Sequence, residues 1–288
     1  MSQKVFLDYN QAELDRQYNQ RAWVPNADEH IRRYATVSDA VRARLGEPES
    51  IAYGGAATET FDLYRSGRAT APLLIFLHGG AWQRLGKRES AFAAEAFVRA
   101  GAHFAALDFG AVPAVSLADL VDQVRRAVVF VYRNAERLGV ARDRLHLVGH
   151  SSGGHLAACA MTTDWAAFGL PQPIKGGLCV SGIYDLRPVR LSARNEYLRL
   201  DEAAEEALSP QRHVDRLACP LIVAAAEFDA PEFRRQARDF AAAAARAGGA
   251  VRHIEGKGFN HFDVIDTLVD PEGLLGKLML EQMGLSRS

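Results

Sequence analysis

The chain predicts an α/β fold in which helices cover both faces of a mostly parallel central sheet. Short apolar runs, such as residues 73–77 and 221–226, alternate with longer helical patterns, such as residues 116–138. Apolar runs of this length are typical of strands buried on both faces, and intervening helices make neighbouring strands parallel. With 288 residues, of which 48% are hydrophobic, the chain is long enough for one large core.

The predicted elements follow a regular order after an N-terminal helical arm at residues 1–45. Strands are predicted at residues 50–53, 59–65, 73–77, 102–109, 145–149, 177–181, 221–226 and 251–255. Helices are predicted at residues 88–100, 116–138, 152–162, 231–247 and 261–268. Residues 186–215 interrupt this order and have the size of a lid, so we expect one domain over residues 1–288 with a lid insertion.

Composition and charge narrow the classes of partner. The 34 basic and 35 acidic residues give a formal net charge of −1, which does not favour a nucleic-acid partner. Three cysteines without a CxxC pair fit a reducing cytoplasm better than a disulfide framework. No run approaches the ~18 apolar residues of a membrane span, and the N-terminus lacks a secretory segment. We expect a cytoplasmic protein that binds a small molecule and no membrane, in which the arm and lid could pair two copies.

A candidate catalytic centre lies in the segment Gly149-His-Ser-Ser-Gly153, which fits the pattern G-x-S-x-G. It follows a predicted buried strand and opens an Ala/Leu-rich helix, the setting in which this pattern forms a nucleophile elbow. The register makes Ser151 the nucleophile and leaves Ser152 to supply a backbone N–H to an oxyanion. A phosphate loop is disfavoured because no Walker lysine follows. A glycine-rich turn with capping serines is the purely structural alternative.

The segment His78-Gly-Gly-Ala-Trp82 follows the predicted strand at residues 73–77 and resembles the HGGG loop that completes an oxyanion hole. By that analogy, the N–H groups of Gly80 and Ala81 join that of Ser152 as donors. The alternative is a flexible turn with Trp82 buried in the core. His150, inside the elbow, is expected to be structural.

A triad needs an acid and a histidine after the serine. Of the later histidines, only His261 is predicted on a loop beyond the last strand. Glu227 and Asp229 both follow the strand at residues 221–226, and we favour Asp229 because a triad acid belongs on the loop beyond the strand. Asp229 also begins the run Asp-Ala-Pro-Glu, which fits a capping box for the next helix, and Glu227 could lie in the pocket wall.

Taken in order, the segments HGGAW, GHSSGG, EFDAPEF and NHFD resemble the α/β-hydrolase fold. More narrowly, they are similar to the kynurenine formamidases (arylformamidases), which are relatives of the hormone-sensitive-lipase-like esterases. Trp82, in place of a third glycine, and the N-terminal YNQRAWVP segment carry this likeness. The resemblance implies Ser151, Asp229 and His261 as the triad. It also implies hydrolysis of N-formyl-kynurenine, or a similar N-acyl arylamine, to the amine and formate.

Two other functions remain open at this point: a carboxylesterase of broad specificity and a non-catalytic binding protein of the same fold. Residues 107–113 (LDFGAVP) depart from the Asp-Tyr-Arg-Leu-Ala-Pro form common in esterases, which weakens a generic esterase assignment. No metal and no other cofactor are expected, because the chain has neither HExxH nor a cluster of His and Asp ligands.

A formyl group needs little space on the acyl side, so the leaving side of the pocket should be large and aromatic. Five aromatic residues beside the motif loops are candidates for this wall, although each is also typical of a core: Trp82, Phe109, Tyr184, Phe228 and Phe259. Arg187 and Arg190, at the start of the lid, could meet a substrate carboxylate or could simply be solvated.

Overall fold

The computed structural model describes residues 3–285, which are built around one eight-stranded sheet. The strands are β1 (Glu49–Ala52), β2 (Thr60–Tyr64), β3 (Ala71–Leu77), β4 (His103–Leu107), β5 (Val140–His150), β6 (Ile174–Val180), β7 (Leu221–Ala226) and β8 (Val251–Gly256). Their order is β1-β2-β4-β3-β5-β6-β7-β8. The β1–β2 and β2–β4 pairs are antiparallel, and the other neighbours are parallel. The predicted α/β fold with a mostly parallel sheet is confirmed.

Helices precede the sheet and connect its strands. They are α1 (Gln11–Gln17), α2 (Ala27–Leu45), α3 (Ala94–Ala100), α4 (Leu117–Arg133), α5 (Ala135–Leu138), α6 (Ser152–Met161), α7 (Arg187–Arg190), α8 (Asn195–Leu198), α9 (Glu202–Leu208), α10 (Pro231–Arg246) and α11 (Leu274–Gln282). Short 3₁₀ helices lie at Gln20–Ala22, Lys87–Ser90, Trp165–Phe168, Pro210–Arg212, Val214–Arg216 and Val264–Leu268.

Two apolar cores cover the two faces of the sheet. Alternate residues of β3 enter different cores: Leu73 and Ile75 pack on the side of α4, α6 and α10, and Leu74 and Phe76 on the side of α2, α3 and α11. All seven residues of β3 are buried. This burial on both faces explains the uninterrupted apolar run in the sequence.

Two predicted helices are divided in the structure. At residues 88–100, the chain forms a 3₁₀ helix and then α3, because Phe92 turns inward between the rings of Tyr34 and Phe76, with centroids 5.4 and 5.2 Å away. At residues 116–138, α4 ends before Asn134, whose backbone N–H and side-chain amide both donate to the Phe130 carbonyl (2.9 and 2.8 Å).

The end of the chain also differs from the prediction. Instead of a helix at residues 261–268, a turn that contains His261 leads into the 3₁₀ helix Val264–Leu268. Helix α11 follows and was not predicted. Its Leu275 and Met279 are buried in the second core, and the spacing of four between these two apolar residues is the signal of this helix in the sequence.

The N-terminal arm contacts the insertion between β6 and β7. The side-chain amide of Gln11 donates to the Leu191 carbonyl (2.9 Å), and Asp15 Oδ1 accepts from the backbone N–H of Ala193 (2.7 Å). The insertion contains α7, α8 and α9. Two segments far apart in sequence therefore meet beside the carboxyl edge of the sheet. In parallel sheets this edge is where ligands bind.

Gly153 lets α6 begin against the end of β3. A Cβ at this position would overlap the carbonyl oxygens of Leu77 and His78, which are backbone atoms that cannot rotate away. We expect Gly153→Ala to lower the free energy of unfolding by about 1–3 kcal/mol, as overpacking does elsewhere. Urea denaturation measures this change.

The control is Gly55→Ala, because a Cβ there would meet nothing within 4 Å. Its unfolding free energy should stay within about 0.5 kcal/mol of the parent value. Equal stability of the two variants would show that the approach of α6 to β3 is not tight.

Candidate active site

Three polar side chains from separate loops meet at the carboxyl edge of the sheet. Ser151 follows β5, Asp229 follows β7 and His261 follows β8. Ser151 Oγ lies 3.0 Å from His261 Nε2, and His261 Nδ1 lies 2.6 Å from Asp229 Oδ1. All three residues are buried. The structure therefore brings together the serine, acid and histidine selected from the sequence, in hydrogen-bonding order.

The turn at Ser151 is sharp because of its backbone conformation. Ser151 has φ 56° and ψ −121°, a conformation that a non-glycine residue rarely adopts and that costs about 1–3 kcal/mol. The Ser151 N–H donates to the Val180 carbonyl of β6 (2.9 Å), which holds the turn against the sheet. A Cβ at Gly149 would overlap the Gly153 carbonyl. The flanking glycines thus allow the turn to close, as the sequence pattern indicates.

The carboxylate of Asp229 is fixed on both oxygens. Oδ2 accepts from Ser181 Oγ (2.6 Å) and from the Ala226 N–H (2.8 Å), and Oδ1 faces His261. Opposite a carboxylate, His261 carries its proton on Nδ1, which leaves Nε2 free to accept a proton from Ser151.

The sequence leaves two other interpretations open for this region: Asp229 as a helix cap, and Glu227 as the triad acid. Neither fits the structure. The first residue of α10 is Pro231, and its N-cap, Ala230, has no side-chain cap hydrogen bond, so the capping-box interpretation of Asp229 is wrong. Glu227 is directed elsewhere, because its Oε2 accepts from the Gly258 N–H (2.7 Å). Asp229 is therefore the acid beside His261.

Three backbone N–H groups beside Ser151 have no acceptor. Those of Gly80, Ala81 and Ser152 donate to no group among residues 3–285. Gly80 and Ala81 line the same cavity as Ser151, and Ser152 begins α6. Unpaired amides at such positions attract an anion.

The loop that carries Gly80 and Ala81 has an unusual backbone. Gly80, Ala81 and Trp82 have φ values of 105°, 57° and 60°, in the left-handed region. The Gly80 carbonyl accepts from the N–H groups of Gln83 and Arg84 (3.0 and 3.1 Å), so the loop closes on itself. This turn keeps the Gly80 and Ala81 amides out of local hydrogen bonds.

The side chain of Ser152 has a role that the sequence did not indicate. Its Oγ accepts the backbone N–H of Trp82 at 3.2 Å, which links the loop at Gly80 to the elbow. The Trp82 indole N–H donates to His155 Nδ1 (3.3 Å), and His155 Nε2 lies 2.8 Å from the Leu208 carbonyl. Burial lowers the pKa of His155 to about 4, so it is neutral at pH 7 and can accept from Trp82.

His150 is structural, as expected, and its contact lies next to the candidate triad. Its Nε2 lies 2.7 Å from the His261 carbonyl, so it donates to the backbone of that loop. Burial lowers the pKa of His150 to about 3, and His150 therefore stays neutral over the range in which enzymes usually work. The elbow thus holds the His261 loop through a neutral hydrogen bond.

A cavity of about 420 Å³ opens on Ser151 and His261. Its aromatic wall is formed by Tyr18 of the arm, Tyr34 of α2, Tyr197 of α8 and Phe262. The Tyr34 hydroxyl donates to the Phe262 carbonyl (2.5 Å), which joins α2 to the loop that carries His261.

The structure corrects the expected pocket wall, because none of its five aromatic residues lines this cavity. Trp82 is only 2% exposed and belongs to the core. Phe109 stacks on His78 (centroids 4.2 Å apart), and Tyr184 stacks on Phe240 (4.3 Å). Phe228 and Phe259 do not form the wall either: Phe228 is 56% exposed to solvent, and Phe259 packs against the second core.

Neither of the two arginines at the start of the insertion lines the cavity. Arg187 is exposed. Arg190 is paired with Glu205 at 2.6 Å. Their interpretation as surface residues fits the structure better than a contact with substrate.

Two further features are described by the structure. Among residues 3–285, no group of three or more His, Cys, Asp or Glu side chains could hold a metal ion. In the same range, no helix is both long and apolar enough to cross a membrane.

The Ser152 hydroxyl should matter less than that of Ser151, but measurably. Ser152→Ala leaves the buried Trp82 N–H without an acceptor, which typically costs about 1–3 kcal/mol. We expect kcat/KM to fall about 5- to 50-fold, because the loop at Gly80 shifts when it loses this hydrogen bond. The control is Ser38→Ala, because Ser38 is equally buried and its Oγ has no partner among residues 3–285. Unchanged kinetics in both variants would show that the Ser152 side chain does not position the loop.

Comparisons with known proteins give a consistent result. A family model described as BD-FAE matches residues 61–169. The kynurenine formamidase of Danio rerio is 37% identical, covering 95% of this chain and 97% of that protein. The kynurenine formamidase of Salmo salar is 35% identical, covering 97% of this chain and 98% of that protein.

Solved structures share the fold. A protein from Silicibacter sp. TM1040, described as a "putative thioesterase", has a TM-score of 0.81 at 27% identity, covering 91% of this chain and 97% of that chain. The carboxylesterase EstE1, from a metagenomic library, has a TM-score of 0.70 at 18% identity, covering 91% of this chain and 98% of that chain. The chain is therefore a hydrolase with the α/β-hydrolase fold, and by its full-length similarity to the two fish proteins it belongs to the kynurenine formamidase family.

Proposed function

We propose that the chain is an arylformamidase that hydrolyses N-formyl-kynurenine, or a similar N-formyl arylamine, to the amine and formate. The observation that carries this proposal is the hydrogen-bonded series Ser151–His261–Asp229 at a cavity that also holds free amides. Two relatives that match nearly the whole chain are named kynurenine formamidases, which supports a formamide as the substrate.

The first step forms an acyl-enzyme. Ser151 Oγ attacks the formyl carbon while His261 Nε2, 3.0 Å away, takes the hydroxyl proton. The carbonyl oxygen becomes an oxyanion, which the N–H groups of Gly80, Ala81 and Ser152 stabilise. The C–N bond then breaks, and His261 gives its proton to the departing arylamine.

The second step releases formate. His261 takes a proton from water, the resulting hydroxide attacks the formyl ester, and the bond to Ser151 Oγ breaks with return of the proton. Asp229 stabilises the imidazolium in both steps, and its own orientation is fixed by Ser181 and the Ala226 N–H. The N–H donors are preorganised, and each typically contributes a factor of about 10²–10³ in rate.

Ester cleavage is the second candidate function. The same groups would act on a carboxylic ester, since an alkoxide leaves more readily than an unprotonated arylamide anion and therefore needs less help from His261. The lining of the cavity favours a substrate with an aryl leaving group, such as an N-formyl arylamine, over a simple alkyl ester, because the aromatic residues Tyr18, Tyr34, Tyr197 and Phe262 provide a wall for an aryl group.

The decisive measurement compares substrates on one enzyme preparation. We expect kcat/KM for N-formyl-kynurenine to exceed that for short 4-nitrophenyl esters, and Ser151→Ala to lose at least about 10³-fold in kcat on every substrate. Asp229→Asn should lose a similar factor because His261 then adopts the wrong tautomer. Ser38→Ala is the control. A strong preference for the esters would contradict the formamidase assignment, and an active Ser151→Ala would contradict the nucleophile.

We also propose that the enzyme is a cytoplasmic protein in which two copies pair through the arm. The cysteines support a reducing compartment, since all three are free and buried. Pairing is supported by apolar side chains on the N-terminal segment, where Val5 is 36% and Leu7 60% exposed. Light scattering should give the mass of a dimer, and Leu7→Asp should shift it to that of the monomer. A monomeric parent protein would contradict the pairing.

A further inference from the structure

Two arginines that line the cavity have no acidic partner. Arg84 and Arg194 form no ion pair with any carboxylate among residues 3–285. A third arginine of the cavity, Arg21, is paired with Asp28 at 2.5 Å. Arg194 is half-buried and Arg84 is exposed. A charged group that is partly removed from water normally finds a counter-ion. The unpaired guanidinium of Arg194, with Arg84 on the solvent side of the same cavity, therefore indicates that an anion binds there.

Arg194 is held so that one end of its guanidinium group is free. Its Nε and Nη2 both donate to the Tyr18 carbonyl, at 3.1 and 2.5 Å. The group also lies over the rings of Tyr18 and Trp82, with 5.6 and 5.9 Å to the ring centroids. Nη1 is buried and has no hydrogen-bond partner among residues 3–285. A preorientated, desolvated donor of this kind suits a carboxylate oxygen.

Arg84 and Arg194 both adjoin the loop of free amides, because Arg84 follows this loop in the chain and Arg194 lies over the ring of Trp82 in it. Burial raises the pKa of Tyr197, and this rise is opposed by Arg194, through its charge and a side-chain hydrogen bond, and by the charge of Arg84. The Tyr197 hydroxyl donates to the Ala81 carbonyl (3.4 Å). The Arg84 backbone N–H donates to Gly80 in the same loop. Both arginines thus line the cavity onto which Ser151 and His261 open, without belonging to the triad.

Asp15, an acidic residue of the cavity, offsets only one of these two positive charges. Asp15 lines the cavity, but its Oδ1 already accepts from Gln11 Nε2 (2.9 Å) and from the Ala193 N–H (2.7 Å). Asp15 forms no ion pair with either arginine. With Arg21 and Asp28 cancelling each other, the cavity retains one positive charge in excess.

We propose that Arg194 and Arg84 form a subsite for a carboxylate carried by the leaving group, and that they determine the specificity of the enzyme. This inference rests on the proposed function. The formyl group has a single carbon, so any substrate carboxylate must lie on the amine side. N-formyl-kynurenine has such a carboxylate, at the end of the side chain attached to its ring.

The experiment compares a charged and a neutral formamide. We expect Arg194→Met and Arg84→Met to lower kcat/KM for N-formyl-kynurenine by about 10- to 100-fold, mainly through KM, as expected for lost hydrogen bonds to a charged group. For 2-formamidoacetophenone, which lacks the amino-acid group, the change should stay within about 2-fold. Arg194→Lys keeps the positive charge but loses the planar pair of N–H donors. Its kcat/KM for N-formyl-kynurenine should lie between that of the parent and that of Arg194→Met.

Matched controls separate charge from structure. Arg187→Met removes an arginine of the same insertion that is exposed and does not line the cavity, so both substrates should be unaffected. Gln11→Ala breaks a contact between arm and insertion without changing the charge. Equal losses on both formamides would overturn the subsite, and so would a loss in Gln11→Ala as large and as selective as in Arg194→Met. If Arg194→Met does not fold, Arg84→Met decides.

Failure of the proposed function gives a different result. A parent enzyme that cleaves phenyl acetate but neither formamide would contradict the formamidase assignment and leave the subsite to be decided on esters. The comparison is then 4-acetoxybenzoate, whose leaving group carries a carboxylate, with phenyl acetate. A loss in the Met variants confined to 4-acetoxybenzoate supports the subsite. Equal losses on the two esters overturn it.

Discussion

The left-handed backbone of Ser151 is the constraint on which the site depends. This backbone conformation turns the chain sharply at the end of β5 and presents the Ser151 side chain to the cavity. The turn brings backbone segments into close contact, which is possible because Gly149 and Gly153 have no Cβ. The same turn starts α6 against the end of β3. Ser152 is thereby placed beneath the loop at Gly80 and Ala81. The strained turn and the loop of free amides are thus joined by the hydrogen bond between Ser152 and Trp82.

The loops around this turn support one another through buried hydrogen bonds. His150 holds the backbone of His261, Ser152 holds that of Trp82, and Ser181 holds the carboxylate of Asp229. Each of these contacts joins residues at or just beyond the ends of two different strands. Hydrogen bonds in a poorly solvated site are stronger than in water, and a missing partner is correspondingly costly. The polar groups are therefore in place before a substrate arrives, which is what electrostatic stabilisation of an oxyanion requires.

The parts predicted from sequence are those that local pattern determines. Buried strands appear as apolar runs, and the elbow appears as glycines around a serine between a strand and a helix, so the sheet and the position of Ser151 followed directly. The aromatic wall could not be predicted in this way. Trp82 and Tyr184 lie beside motif loops in the sequence but pack into the core. Tyr18 and Tyr197 line the cavity, but they are far in the sequence from the motifs that mark the site. The break at Phe92 likewise depends on two rings contributed by remote elements.

The cavity divides its tasks between two parts of the molecule. Ser151, Asp229 and His261 are anchored to strand ends, whereas Tyr18, Arg194 and Tyr197 stand on the arm and the insertion, outside the sheet. The insertion connects β6 to β7, and the arm precedes β1, so neither contributes a strand to the sheet. Substitutions in these segments change the wall of the cavity but not the strand ends from which the bond-breaking groups extend. Substrate specificity can therefore change through substitutions in the arm and the insertion while the catalytic chemistry is retained. Replacing both segments with those of a relative is an engineering route to the same change.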